Sequence, residues 1–336
     1  MNKYTEIYPW QEQLWQNLNQ GRQKLHHAFL MHGRAGIGKY DFALSFSKSL
    51  LCQNSDDNGR ACDKCPSCHW FDDESHPDFR LISPEQESSS DEEAASGKKT
   101  KKKTQISVAQ IRELSDFLSL SSHQTSGLRV VLINPAEALN QASANALLKM
   151  LEEPASGVIF ILVAHQLQRL LPTILSRCQK ITMPVPDQAQ ALAWLNMQGV
   201  QNPEQRLAYL EGSPIKVLSE QAQFDQLSEI WRHLALGRKM EPQIAASIVI
   251  TNSVETGVIA VQKWLYDIVT VKLGQQARYH LQHTRALQAL AEKVNLGRIF
   301  DLQKKTNELR KLATHPLNHE LQMESLLVEY TKVFQS

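Results

Sequence analysis

The sequence has almost no surplus of either charge. Its 36 lysine and arginine residues balance 35 aspartate and glutamate residues, which leaves a formal net charge of +1 at pH 7. A protein that grips nucleic acid by itself usually carries a basic surplus, because neutralising phosphates supplies most of that affinity. Autonomous DNA or RNA binding is therefore disfavoured as the main function.

Long apolar segments are also missing. The longest uninterrupted apolar run, Val158–Ala164, is far shorter than the roughly 20 residues that span a bilayer. The segment Met1–Glu6 holds no apolar signal core. The hydrophobic fraction of 42% is ample for buried cores, and the charged fraction of 21% is ordinary. These features predict a soluble cytoplasmic protein of two or three domains for the 336 residues.

Cysteine is scarce, and four of the five residues fall close together. An odd number of cysteines, clustered and without an export signal, argues against a disulfide framework. The cluster has the spacing C-x9-C-x2-C-x2-C and consists of Cys52, Cys62, Cys65 and Cys68. Asn58-Gly59 supplies a turn within it, and four soft ligands with none left over predict a closed, structural zinc site. An iron–sulfur cluster and free thiols are the alternatives.

Five short apolar runs without polar alternation have the pattern of strands that helices cover on both faces. They are Ala28–His32, Phe79–Ile82, Val130–Ile133, Val158–Ala164 and Lys180–Met183. Helical patterns lie between them, at Asp41–Leu51, at Val108–Leu120 with Ser107 as its cap, and at Ala142–Glu153. This alternation predicts an α/β domain with a parallel sheet over residues 1–183.

No convincing strand follows Pro184 and Pro186. Helical patterns at Gln188–Met197 and Pro203–Leu210 predict a small helical domain over residues 184–220. Apolar stripes at helical spacing then continue from about Phe224 onward, which predicts an all-α domain over residues 221–336.

One segment, Pro84–Thr104, breaks the pattern. It holds five acidic residues followed by five lysines, with small polar residues between them. Such a composition cannot bury apolar area and predicts a flexible insertion. The lysines could touch phosphates, but charge runs are usually just solvated, so its role stays open.

The segment Gly33–Tyr40 has the form of a phosphate-binding loop. It reads G-x-x-x-x-G-K between a predicted strand and a predicted helix. Backbone amides and a lysine would hold phosphates here, at Gly33, Gly36, Gly38 and Lys39. Tyr40 stands where a hydrolysing loop needs the small hydroxyl of Ser or Thr for Mg²⁺. Nucleotide binding and a plain strand–helix turn both stay open as interpretations.

A second part of an ATPase site is altered as well. The predicted strand Val130–Ile133 ends in Asn134-Pro135, where an acidic pair would be expected. Asn134 is a poor ligand for a hard cation, and Pro135 cannot act as a base. Glu137 is nearby but displaced from the strand end. Two independent departures predict that this site does not hydrolyse ATP.

The tripeptide Ser176-Arg177-Cys178 precedes the last predicted strand. Taken alone it is weak evidence, and a surface arginine is its ordinary interpretation. An arginine at a subunit edge can, however, stabilise phosphoryl transfer in a neighbouring subunit.

Together these motifs resemble the delta-prime subunit family of the bacterial DNA polymerase III clamp loader, a branch of the AAA+ proteins. The resemblance covers about Tyr8 to Val217. It rests on the phosphate-loop region, the four cysteines, His76-Pro77-Asp78, Ala144–Pro154 and Leu175–Cys178. It implies an AAA+ α/β domain with a zinc module at about residues 52–68, then a helical lid and a helical collar that oligomerises in a ring.

The resemblance also implies a function. Such a subunit is a non-hydrolysing stator that helps load the sliding clamp onto primer–template DNA, with motor ATPase subunits and a clamp-opening delta subunit as partners. Arg177 would act in trans as a finger in the ATP site of a neighbouring motor, with Ser176 and Cys178 as its motif. Motor subunits differ from this chain at Tyr40, at Asn134-Pro135 and at Ile215-Lys216, where they carry a lid arginine.

Two other hypotheses about the function remain open. An active ATPase subunit would need Glu137 to replace the missing acid. A free zinc-dependent nucleic-acid binder would depend on the lysine block, against the neutral charge balance. One structural zinc ion is the expected cofactor; ATP binding is left open, and ATP hydrolysis is not expected.

Overall fold

The computed structural model describes residues 7–22, 25–84, 104–119, 127–252, 254–312 and 318–334. The chain divides into two compact units, Met1–Asp187 and Gln188–Ser336. Most of the insertion predicted at Pro84–Thr104 lies outside the described residues. Among the helices that are described, none combines the length and the apolar composition needed to cross a membrane. The three-domain division at residues 183 and 220 stays a prediction.

The first unit is built around a sheet of five strands. The strands are β1 Ala28–His32, β2 Phe79–Ile82, β3 Arg129–Ile133, β4 Val158–Ala164 and β5 Gln179–Thr182, in the spatial order β2-β3-β4-β1-β5. Each pairing is parallel, with β1 in register with β4 from Ala28↔Phe160 to His32↔Ala164. The predicted α/β class with a parallel sheet is therefore confirmed.

Helices cover both faces of this sheet. They are α1 Glu12–Gln20, α2 Lys39–Leu51, α3 Pro66–Asp72, α4 Val108–Ser119, α5 Gln141–Glu152 and α6 Pro172–Arg177. Successive strand residues point to opposite faces, so Phe29 and Met31 pack in one core cluster with α2, and Leu30 packs in another with α4, α5 and α6. Because both faces are buried around β1, β3 and β4, these central strands are mainly apolar, whereas the outer strands β2 and β5 include exposed polar residues.

Two element boundaries depend on polar residues that the apolar runs did not include. β3 begins at Arg129 rather than Val130, because the buried guanidinium donates to the carbonyl oxygens of Phe117 and Leu118 at the end of α4. β5 begins and ends one residue earlier than predicted. Ser107 caps α4 as predicted: its Oγ accepts from the Gln110 N–H, and its own N–H donates to the Gln110 side chain.

The second unit is helical throughout its described residues. Its helices are α7 Gln188–Met197, α8 Pro203–Tyr209, α9 Pro214–Ser219, α10 Gln221–Leu234, α11 Pro242–Asn252, α12 Val254–Lys272, α13 Thr284–Lys293, α14 Leu296–Leu312 and α15 His319–Lys332. Its core contains Trp231, Trp264 and Tyr330, and the Trp264 indole N–H donates to the Tyr330 hydroxyl at 2.9 Å. The helical character predicted after Pro186 is confirmed.

Candidate functional site

Four cysteine side chains converge between the end of α2 and the first turn of α3, which carries Cys68. Their sulfur atoms all lie within 4.8 Å of one another. The Sγ–Sγ distance is 3.5 Å for Cys65–Cys68 and 4.0 Å for both Cys52–Cys65 and Cys62–Cys68. A turn at Gly59, which has φ +71°, closes the loop between Cys52 and Cys62 as predicted.

The thiol geometry fits one tetrahedral metal ion. Zn–S bonds of about 2.3 Å place tetrahedral thiolates about 3.8 Å apart, close to the separations found here. The N–H groups of Asn54 and Cys62 donate to the Cys52 sulfur. Backbone N–H groups, that of Lys64 foremost, lower the pKa of the Cys62 thiol to about 6, whereas burial raises the pKa of Cys68. A complete set of thiolates therefore calls for a cation, and these residues could hold one.

Buried polar contacts attach this cysteine segment to the rest of the first unit. The Lys48 ammonium on α2 pairs with Asp63 at 2.5 Å and with Asp72 at 2.8 Å. The Ser67 hydroxyl donates to the Leu51 carbonyl at the end of α2. The same hydroxyl lies 2.9 Å from Nε2 of the buried His76, just before β2. The cysteine segment is thus joined to α2 and, through His76, to the residues just before β2.

The predicted phosphate loop connects β1 to α2. Gly36 and Gly38 have φ values of +74° and +81°, which side-chain-bearing residues rarely adopt. Gly38 is the N-cap of α2, so backbone N–H groups open the helix as a phosphate loop requires. The Lys39 ammonium, however, donates to the Arg34 carbonyl of the same loop at 2.5 Å.

A short N-terminal turn packs directly on this loop. Gln11 is fully buried, and its side-chain NH₂ donates to the carbonyl oxygens of Ile37 and Gly38, each at 2.9 Å. The Trp10 indole N–H donates to the same Ile37 carbonyl at 3.0 Å. A Cβ on Gly38 would lie 2.3 Å from the Tyr8 ring, so this glycine also permits the close approach of the turn.

The residues that differ from an ATPase pattern have other contacts. Tyr40 packs against the core cluster around α2, and burial first, then the charges of Asp41 and Glu74, raises the pKa of its phenol. Glu137 accepts a hydrogen bond from the backbone N–H of His165, just beyond β4, at 2.9 Å. The Glu137 carboxylate is therefore already engaged in holding the end of β4.

Arg177 is the last residue of α6. Its guanidinium pairs with Glu152, the last residue of α5, at 2.6 Å and donates to the Thr173 carbonyl at 3.0 Å. The Ser176 hydroxyl lies 3.4 Å from the same guanidinium. Cys178 is buried in the core, and this burial raises its pKa to about 11, so it is a packing residue rather than a reactive thiol.

Arg177 and the phosphate loop lie at opposite ends of the parallel strands. The loop leaves the carboxyl end of β1, whereas Arg177 precedes the amino end of β5. These two strands are adjacent and parallel. The four residues of β5 extend about 13 Å, which separates the two sites along the strand direction. Arg177 therefore does not serve the loop of its own chain.

Three groups of site residues escaped prediction from the sequence: the N-terminal turn with Gln11, the buried Lys48 and the Glu152 partner of Arg177. Each contact joins residues that are far apart in the sequence. Lys48 carried one signal, because a lysine in the otherwise apolar and small-residue stretch of α2 needs an acidic partner. The sequence around Gln11 and around Glu152 gave no indication of their contacts.

Comparisons with known proteins give a consistent result. The family model described as DNA polymerase III, delta subunit, matches residues 10–187. The DNA polymerase III subunit delta' of Pseudomonas aeruginosa is 32% identical, with 98% of this chain and 98% of that protein covered. The subunits delta' of Haemophilus influenzae and Escherichia coli are 34% and 32% identical over 64% and 62% of this chain, and over 61% and 58% of their own lengths.

Among solved structures, a DNA polymerase III gamma subunit-related protein from Thermotoga maritima is 17% identical, with a TM-score of 0.49. The alignment covers 96% of this chain and 99% of that one.

Proposed function

The chain belongs to the family of DNA polymerase III delta-prime subunits, and on that premise we propose that it is a non-hydrolysing stator of a bacterial clamp loader. In this role it helps load the sliding clamp onto primer–template DNA in the cytoplasm. Its partners are motor ATPase subunits and a clamp-opening delta subunit. Residues 1–183 are then an AAA+ domain, residues 184–220 a lid, and residues 221–336 a collar that joins the ring.

The observation that carries the proposal is the position of Arg177. It lies at the amino end of the parallel strands, whereas its own phosphate loop lies at their carboxyl end, so phosphoryl transfer that it assists takes place on another chain. Its planar fork of donors suits phosphate oxygens. A finger supplied in trans contributes about 10³–10⁵ in rate, which is roughly 4–7 kcal/mol of transition-state stabilisation.

The phosphate loop supports the absence of hydrolysis. Productive hydrolysis needs Mg²⁺ on the β- and γ-phosphates and a group that orients water. Tyr40 is half-buried against the core cluster around α2, and neither Asn134 nor Pro135 supplies the carboxylate of an acidic pair. A nucleotide phosphate would also compete with the Arg34 carbonyl for the Lys39 ammonium. Nucleotide binding without turnover is compatible with this arrangement.

The metal of the cysteine cluster is proposed to be one structural zinc ion. Four thiolates at separations near 3.8 Å suit a single tetrahedral ion, and the closed set leaves no ligand position for substrate. A cluster of several iron atoms would spread its thiolates farther apart. When bound, zinc contributes folding energy to the segment between α2 and α3.

Two measurements test the proposed function. The isolated chain should show no steady ATP turnover above background. In a clamp loader reconstituted with its ATPase subunits, clamp and primed DNA, Arg177→Ala should leave assembly intact and lower DNA-stimulated hydrolysis and clamp loading. Because a ring has several ATP sites and loses only one finger, the loss is expected to be smaller than for a single-site enzyme.

The exposed Arg169, in the turn before α6, is the matched control, and Arg169→Ala should behave like the unmodified protein. Turnover by the isolated chain that disappears in Lys39→Ala would favour the active-ATPase hypothesis with Glu137 as the acid. Unchanged turnover of an intact Arg177→Ala ring would leave Arg177 as an architectural residue.

A further inference from the structure

Glu152 is the residue that joins Arg177 to a second element of the first unit. Its carboxylate lies 2.6 Å from a terminal nitrogen of the guanidinium. Building on the proposed function, in which Arg177 reaches a neighbour's ATP site, we propose that Glu152 positions the Arg177 guanidinium for that contact. Glu152 acts through Arg177 and is a positioning residue rather than a catalytic one.

The contacts of Arg177 favour this role. The Thr173 carbonyl and the Ser176 hydroxyl both engage one terminal nitrogen, and both belong to the helix that carries Arg177. Glu152 engages the other terminal nitrogen from α5. A long side chain held from one helix alone can still swing, whereas anchors on two packed helices fix the plane of the guanidinium. Arginine has much rotamer freedom to lose, so such an anchor reduces the cost of ordering it.

Helix stability does not account for Glu152. It is the last residue of α5, and the C-terminal end of a helix carries partial negative charge that disfavours a carboxylate. Lys149, in the same last turn, has the charge expected there. The dipole of its own helix thus disfavours the Glu152 carboxylate, whereas the ion pair with Arg177 favours it.

The solvent exposure of the ion pair between Arg177 and Glu152 decides whether Glu152 can only position the guanidinium or can also hold it away from a phosphate. The side chains of Arg177 and Glu152 are 33% and 48% exposed. An ion pair this exposed changes an equilibrium constant by at most about fivefold. A change of this size is too small to keep the Arg177 guanidinium from a phosphate, because an arginine finger raises the rate by a factor of about 10³–10⁵. It is enough to bias which rotamer the guanidinium occupies, so the pair pre-organises the finger and does not lock it.

The test uses clamp loaders reconstituted with ATPase subunits, clamp and primed DNA. Glu152→Gln and Glu152→Ala should lower the kcat of DNA-stimulated hydrolysis about two- to fivefold, with little change in KM and in ring assembly measured by gel filtration. Glu152→Asp should retain more activity than Glu152→Gln. The neighbouring Glu153 is exposed, and no side-chain bond joins it to a described residue, so Glu153→Gln is the matched control and should have normal kcat.

A double-mutant cycle makes the test specific. If Glu152 acts only through Arg177, adding Glu152→Gln to Arg177→Ala should cause no further loss of kcat. An equal loss in both backgrounds would overturn the proposal, as would normal or raised kcat in Glu152→Gln while Arg177→Ala is impaired. If Arg177→Ala itself has normal kcat in an intact ring, the proposed function fails first, and the role of Glu152 fails with it.

Discussion

Lys48 carries a positive charge at a position where its side chain has no solvent-exposed surface. Burial disfavours this charge, but hydrogen bonds to Asp63 and Asp72 outweigh burial and raise the pKa of Lys48. Asp63 lies between two of the clustered cysteines, and Asp72 is the last residue of α3. Lys48 lies on α2, the helix that follows the phosphate loop. One ammonium group therefore links the two candidate sites of the first unit.

Lys48→Met is expected to lower the free energy of unfolding of the metal-loaded protein by about 2–4 kcal/mol, because it leaves two carboxylates beside a buried apolar side chain. Both acids are partly exposed, so water recovers part of the loss. Urea denaturation measures the change. Lys64, an exposed lysine of the same segment, is the control, and Lys64→Met should change stability by less than about 0.5 kcal/mol. Equal stabilities of the two variants would contradict the buried ion-pair account.

His280 is a fully buried histidine in the second unit. Its Nδ1 lies 2.9 Å from Oδ2 of Asp267, a carboxylate that also accepts backbone N–H groups of Arg278, Tyr279 and His280 itself. Burial lowers the pKa of His280, and the contact with Asp267 only partly opposes this. The neutral ring therefore donates from Nδ1. Its Nε2 has no hydrogen-bond partner among the described residues, so a second proton has no acceptor there.

This lowered pKa makes stability depend on pH in a definite direction. Below about pH 6.5 the unfolded chain binds a proton at His280 that the folded chain does not, so folding stability falls as pH falls. The contribution is at most about 1.4 kcal/mol per pH unit. Urea denaturation at about pH 7.5 and about pH 5.5 should show a weaker pH dependence for His280→Gln than for the unmodified chain. His283, whose pKa burial also lowers, is present in both proteins. Equal pH dependence would contradict the assignment.

At the scale of secondary-structure elements, local sequence patterns predicted most of the first unit. β1, β2 and β4 have the predicted bounds, because each is a short, mainly apolar stretch that turn residues delimit, although β2 also contains Arg80. The start of β3 escaped prediction because Arg129 is charged in isolation and is satisfied only by carbonyl groups of α4. A rule based on apolar runs cannot anticipate a partner that another element supplies.

The candidate sites show the same difference between features that local sequence patterns predict and contacts that depend on another element. The cysteine cluster was predictable, because short spacings bring three ligands together and a single turn returns the fourth. The contacts of Gln11 with the phosphate loop and of Glu152 with Arg177 were not predictable. They depend on how α1, α2, α5 and α6 pack, and sequence spacing does not contain that information.

The N-terminal turn is an element whose effect on the phosphate loop can be measured. Gln11→Ala should lower the free energy of unfolding by about 1–3 kcal/mol, because it removes two buried hydrogen bonds, those to the carbonyl oxygens of Ile37 and Gly38. Hydrogen exchange of the loop amides should rise as well. Gln13 lies on α1 and is exposed, so Gln13→Ala should leave both properties unchanged. Unaltered exchange in Gln11→Ala would mean that the turn does not hold the loop.

At the scale of the whole molecule, the chain has separate hydrophobic cores. Two clusters cover the two faces of the parallel sheet, and a third, formed around Trp231, Trp264 and Tyr330, belongs to the helical unit. The cysteine segment lies within the first unit, joined to α2 by Lys48 and to β2 by His76. A perturbation of the metal site should therefore propagate through the sheet unit along these contacts.

Chelating the metal is expected to destabilise the sheet unit selectively. Zinc–thiolate coordination contributes on the order of 10 kcal/mol in small zinc modules, and the proposed zinc ion would couple that energy to α2, α3 and β2. Hydrogen-exchange mass spectrometry with and without a chelator should show lost protection in these three elements and unchanged protection in α12 and α14. Cys62→Ser should remove the response to chelator, whereas Cys178→Ser, which changes a thiol outside the cluster, should keep it. Equal loss in both units, or no loss in α2, would refute the view that the metal site is a structural element of the sheet unit.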